Sequence, residues 1–150
     1  MIVGRRPVLR RWVGTATLLA LTACVGPSRT DEDFSRKAGN TAEAMRSAVE
    51  TGRLVADLVL RDRAFGPYAN ITATEAEEAA VSIAGGFDSV QPPSTHSDQV
   101  RTRLDALLQA ATSALGDLRI AVRRHRLDDV RKAADDLAQV SAKLEPLVGV

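Results

Sequence analysis

The chain contains one cysteine, Cys24, so no disulfide can form within it and packing alone must hold the fold. Aromatic residues make up only 3 % of the sequence, which demands an aliphatic, alanine-rich core. Long apolar runs are missing as well. The uncharged run from Trp12 to Ala23 would extend about 18 Å as a helix, short of a hydrocarbon core of about 30 Å. Histidine is scarce, and neither of the two has a glutamate three residues before it: Pro93 precedes His96 and Val122 precedes His125. That spacing excludes a carboxylate-bridged dimetal bundle, which needs Glu-x-x-His pairs facing inward. Haem attachment is disfavoured too, since beyond the leader there is one methionine, Met45, and no attachment motif.

No motif places a nucleophile. His125 and Asp129 lie four apart and would touch if the intervening turn were helical, yet no serine, threonine or cysteine is positioned to work with them. His96 beside Asp98 reads as a solvated loop histidine. Gly85-Gly86 lacks the strand, loop and lysine of a phosphate cradle, and Asp135-Asp136 reads as a wet helix face. The expectation is a non-enzymatic protein with no cofactor and no metal.

What the amino terminus does have is an address. Arg5, Arg6, Arg10 and Arg11 precede the apolar run, the order of a secretory signal, and the run closes on Leu21-Thr22-Ala23-Cys24. This segment resembles the lipobox of bacterial lipoproteins. The resemblance covers residues 1–24 only and implies removal of residues 1–23, diacylglycerol on the Cys24 thiol, and attachment to the extracytoplasmic face of the cell membrane. Two acyl chains hold durably where a single chain is marginal. Arg5-Arg6-Pro7-Val8-Leu9 also resembles a twin-arginine export signal, although the general secretory route needs no more than the charges present. Residues 24–30, with Gly26, Pro27 and Ser28, read as a lipidated tether, and residues 31–150 as the folded domain.

Without residues 1–23 the chain carries 16 Lys and Arg against 19 Asp and Glu, a formal charge of −3. Nucleic acid is therefore not an expected partner, because phosphate binding needs a basic excess on one face.

From Asp31 onward the apolar spacing is helical, with no strand-like alternation. Phe34, Ala38, Thr41, Met45, Ala48, Gly52, Val55 and Val59 form the stripe of a first helix, read as 31–63, with Leu54, Leu58 and Leu60 widening it and its end buried more deeply than its start. Gly39-Asn40 does not shift the phase of this stripe. Phe65-Gly66-Pro67-Tyr68 reads as a breaker, after which a Thr72/Glu75 or Thr74/Glu77 capping pattern starts a second helix bearing Ala76, Ala80, Ile83, Phe87 and Val90. Inside it, Gly85-Gly86 marks either a helix end or a close neighbouring backbone, and the register favours continuation. A third helix, 97–124, carries Val100, Leu104, Leu107, Ala111, Ala114, Leu118 and Val122. A fourth begins at Leu127 with Val130, Ala134, Leu137, Val140 or Ser141, and Leu144, and ends at Pro146.

Short connections between four amphipathic segments predict an all-α, antiparallel, up-down-up-down four-helix bundle; the alternative is a three-helix bundle with an irregular second segment. An even number of helices brings the chain's end back to the lipid side. The 64–71 loop and the turn at His125 then lie at the far end, and the Pro92-Pro93 loop lies near the membrane. The far end gathers Arg61, Arg63, Arg123, Arg124 and Arg126 with Phe65 and Tyr68.

Two readings of that end compete. As a contact patch, it offers the aromatic area and guanidinium forks enriched in binding hot spots. As structure, the arginines complement helix dipoles, acids such as Glu75, Glu77, Glu78, Asp128 and Asp129 cancel them, and Phe65 plugs the bundle. The functional expectation is a membrane-anchored, non-enzymatic envelope module that meets another envelope component, an envelope protein. The alternative is a small-ligand carrier with a cavity near Phe65, Tyr68 and Phe87.

Overall fold

A computed structural model describes residues 28–148; Cys24 and the leader lie outside the described residues. Four helices follow in order: α1 (Asp31–Leu60), α2 (Gly66–Asp88), α3 (Thr95–Arg123) and α4 (Leu127–Leu144), closed by a 3₁₀ turn, Glu145–Leu147. They form an antiparallel up-down-up-down bundle. Each helix packs on its neighbours in sequence, α4 packs on α1, and α1 meets α3 across the diagonal, whereas α2 and α4 do not touch.

Small residues explain the short diagonal. Ala38, Gly39, Ala42, Ala48, Gly52 and Ala56 line the buried side of α1, and Ala111, Ala114 and Ala121 that of α3. The tightest approach is at Gly52. A Cβ there would overlap Leu115 Cδ2 on α3 and lie 3.2 Å from Leu137 Cδ1 on α4, so the missing side chain makes room for two core leucines. Among the described residues the buried core cluster runs from Phe34 to Leu144, with Leu147 and Val148 packed against it. At the end where α1 begins, the Phe34 and Phe87 rings meet at 5.9 Å and 52°, within the usual range for tilted aromatic pairs.

The elements start and stop for local reasons. Thr30 caps α1 by accepting from the Asp33 N–H at 3.1 Å, and Ser94 caps α3 by accepting from the Ser97 N–H at 3.2 Å. α1 and α3 end alike. Asp62 and His125 sit at φ 55° and 53°, and around them Arg63 N–H reaches Leu58 O at 2.8 Å and Arg126 N–H reaches Ala121 O at 3.0 Å. With Asp62 N–H to Val59 O and His125 N–H to Val122 O, both at 3.1 Å, each turn is a complete Schellman motif, made here without glycine.

Several expectations need correction. α2 begins at Gly66 rather than near Thr72 or Thr74, because Pro67 sits in the first turn, where its fixed φ and missing N–H suit a helix start. α1 is one helix through Gly39-Asn40, as its unbroken stripe predicts. It stops at Leu60, and its end is less buried than its start: Leu54 is 58 % exposed, Leu58, Val59 and Leu60 are only half-buried, and Phe34, Ala42 and Met45 are fully buried. Leu127 is also exposed. α2 continues through Gly85-Gly86, but neither a helix end nor a close backbone accounts for the pair, since nothing lies within 4 Å of either would-be Cβ. Ser28, read as tether, is buried and accepts from Lys37 Nζ at 3.3 Å.

Candidate functional site

Ion pairs and hydroxyl bonds stitch the helices together, and they decide which polar groups are left for anything else. At the end where α1 begins, the Asp31 carboxylate accepts from Ser94 Oγ at 2.5 Å and from Ser97 Oγ at 2.6 Å, which ties the starts of α1 and α3 to each other. The two serine hydroxyls, Ser94 first, hold the Asp31 carboxyl below its ordinary range. Between α1 and α4, Ser141 Oγ donates to Glu50 Oε1 at 2.6 Å while Arg53 donates to both Glu50 oxygens at 2.8 and 2.9 Å. That serine bond is the main reason the Glu50 carboxyl is also lowered.

Between α2 and α3, Glu77 crosses above Gly116 to pair with Arg119. The bond raises the affinity of the guanidinium for its proton. Arg101 on α3 donates to Val90 O at 2.6 Å and Asp88 O at 3.0 Å, closing off carbonyls at the end of α2.

The buried polar residues among those described are Ser28, Ser97 and Ser141, and each has the partner named above. Among the described residues two further buried side-chain atoms, Arg46 Nε on α1 and Asp105 Oδ1 on α3, have no hydrogen-bond partner. The cavity expected near Phe65, Tyr68 and Phe87 does not form: Phe87 is buried against Phe34 at one end, while Phe65 and Tyr68 stand exposed at the other. The larger depressions lie open on the α2–α3 surface, at about 560 and 620 Å³, and share Glu77, Val81 and Arg119. Glu77 and Arg119, common to both, pair with each other.

His125 and Asp129 do not pair either. His125 occupies the left-handed position of its turn, and Asp129 accepts from Arg126 at 2.9 Å in an ion pair. His96 is exposed at the opposite end of the bundle.

The far end carries the remaining sequence candidates. The structure brings the turns 61–65 and 124–126 together, with Gly66 so close to His125 that a Cβ would lie 3.9 Å from its Cε1. Phe65 does not plug the bundle; it is 76 % exposed, with Tyr68 and Ile71 exposed on the same face of α2 at steps of three. The expected charge cancellation is partial, and of the acids expected to provide it only Asp129 pairs with an arginine of this group. Arg61 pairs with Asp57 and Arg126 with Asp129, whereas Glu77 is taken by Arg119 and Asp128 by Arg131.

Among the described residues Arg63, Arg123 and Arg124 have no ion pair, and the only acid within the two turns is Asp62. Arg123 lines a depression with Asn70 and Thr74 of α2, so the free charge adjoins the exposed aromatic face. Sequence reading missed Ile71, assigned to a loop, and Leu127, assigned to the core; the Pro67 start signal would have placed Ile71 on the helical face of Tyr68.

No family model, curated protein or solved structure matches the chain.

Proposed function

We propose that this is a non-enzymatic envelope lipoprotein, anchored through diacylglycerol on Cys24, whose bundle presents its far end to another envelope component. The observation that carries this reading is the unpaired group at that end: Arg63, Arg123 and Arg124 beside exposed Phe65, Tyr68 and Ile71. Large apolar side chains and arginine concentrate where proteins make contacts, and a patch so composed needs a partner to repay its exposure. The closed aliphatic core supports a rigid presenter over a small-ligand carrier, because a ligand site needs a concavity with unspent polar groups.

Two experiments test the two halves of the reading. Replacing Cys24 with Ala is expected to abolish acyl labelling and move the protein out of the membrane fraction; unchanged labelling refutes the anchor. A photo-crosslinking residue at Phe65 is expected to give a defined adduct in native membranes that is absent when the same residue replaces Val81 on the flank of α2, which is also exposed. The same adducts from both positions, or none from Phe65, refute the far end as the contact surface.

A further inference from the structure

We propose that the component met by the far end is an anionic lipid surface. This inference rests on the far end being the contact surface, and adds what the contact is made of. Three features favour lipid over an acidic protein. Charge comes first: Arg63, Arg123 and Arg124 have no ion pair among the described residues, and each arginine near an anionic leaflet adds attraction that reaches about a Debye length.

Second comes shape. Phe65, Tyr68, Ile71 and Leu127 stand exposed along the first turns of α2 and α4, and the depression between Arg119, Ile120, Arg123 and Arg124 holds about 260 Å³. A specific protein interface needs roughly 800 Å² of well-packed surface on each side. Such exposed side chains instead suit a soft plane that closes around them, with phenylalanine and isoleucine entering the apolar layer and tyrosine at the headgroups. Third is the backbone. Each Schellman turn bonds two of its helix-end carbonyls, those of Leu58 and Val59 in one and Ala121 and Val122 in the other, so pressing this end against lipid strips water from none of these four acceptors.

The chain from Val25 onward keeps every described core residue, from Phe34 to Val148, and carries no acyl group to confuse the measurement. It is mixed with vesicles of equal parts phosphatidylglycerol and phosphatidylcholine, or of phosphatidylcholine alone, and sedimented. Binding to the anionic vesicles only, lost in about 1 M salt, is the expected result. The R63Q/R123Q/R124Q variant is expected to lower the partition coefficient on the order of a hundredfold, and F65S by roughly tenfold, with unchanged helical circular dichroism as the check on folding.

Equal binding to neutral vesicles, or binding that survives the triple substitution, overturns the proposal. So does absence of vesicle binding while the crosslinker at Phe65 still captures one protein in native membranes, in which case the far end remains the contact surface with a protein on it. Absence of both vesicle binding and adduct overturns the contact surface as well.

Discussion

Glycine has opposite meanings at three positions of this chain. At Gly52 the absent side chain is filled space: Leu115 and Leu137 occupy it, and a larger residue has to displace core leucines from both α3 and α4. Gly52→Val is therefore expected to destabilise by about 1–3 kcal/mol, the usual range for overpacking, beyond the propensity that valine gains over glycine. At Gly85 and Gly86 the space is empty, so alanine at each should stabilise by about 0.5–1 kcal/mol through the backbone alone. Urea unfolding followed at the helical band separates them, and a destabilised Gly85→Ala would contradict the open surface described for α2.

The carboxylates give a second prediction at the same scale. Asp31 and Glu50 are held low by hydroxyl donors from other helices, Ser94 and Ser97 for the first and Ser141 for the second. A carboxyl whose folded value lies below its unfolded one contributes stability that is complete above the unfolded value, about pH 4, and is lost as pH falls through the folded value. Urea midpoints should thus fall with pH below about 4.5, and fall less steeply in D31N and E50Q than in the parent chain. Equal slopes in all three would show that neither hydroxyl bond matters to folding.

Among the elements, α2 is held least firmly. Its buried residues are Ala69, Ala73, Ala76, Ala80 and Phe87, whereas α3 buries Leu104, Leu108, Leu115 and Leu118 besides its alanines. Since stability follows buried apolar area, α2 amides should exchange with deuterated solvent faster than those of α3. Arg101 is the polar restraint at its end, through Val90 O and Asp88 O, so Arg101→Ala should speed exchange through 84–90 and cost about 1–3 kcal/mol. Unchanged exchange there would refute the restraint.

The same element shows where the sequence was legible. The stripes of α1, α3 and α4 could be read because leucine, valine, methionine and phenylalanine recur at helical steps, and these helices also begin near serine or threonine caps or a tight turn. α2 offered mostly alanine, which marks no face strongly, and its start is signalled by Pro67, a residue that breaks helices everywhere except in their first turn. The far end was located by counting antiparallel helices, but not its exposed members. Whether Phe65 plugs a bundle or leaves it depends on the path of the turn after Asp62, and that path is a property of the left-handed residue and its two carbonyl bonds rather than of hydropathy.

For the whole molecule, lengths connect the two proposed attachments. α1, with 30 residues, extends about 45 Å, and the six residues from Val25 to Thr30 reach at most about 20 Å more. Ser28 is already packed on the bundle, which shortens the free part of that reach. A lipid at Cys24 and an anionic surface at Arg63, Arg123 and Arg124 therefore sit at opposite ends of a rod. Lying flat on one bilayer would press a flank against headgroups, and on α2 that flank carries Glu75 and Glu78, which have no ion pair among the described residues and would be repelled. Upright bridging between two surfaces avoids this. The acylated protein added to anionic vesicles should draw them together with gaps of about 45–65 Å in electron cryomicroscopy, and R63Q/R123Q/R124Q should leave the protein anchored on vesicles that stay apart. Vesicles clustered equally by the parent chain and the triple variant, or a parent chain that anchors without bridging, would count against a molecule that works end to end.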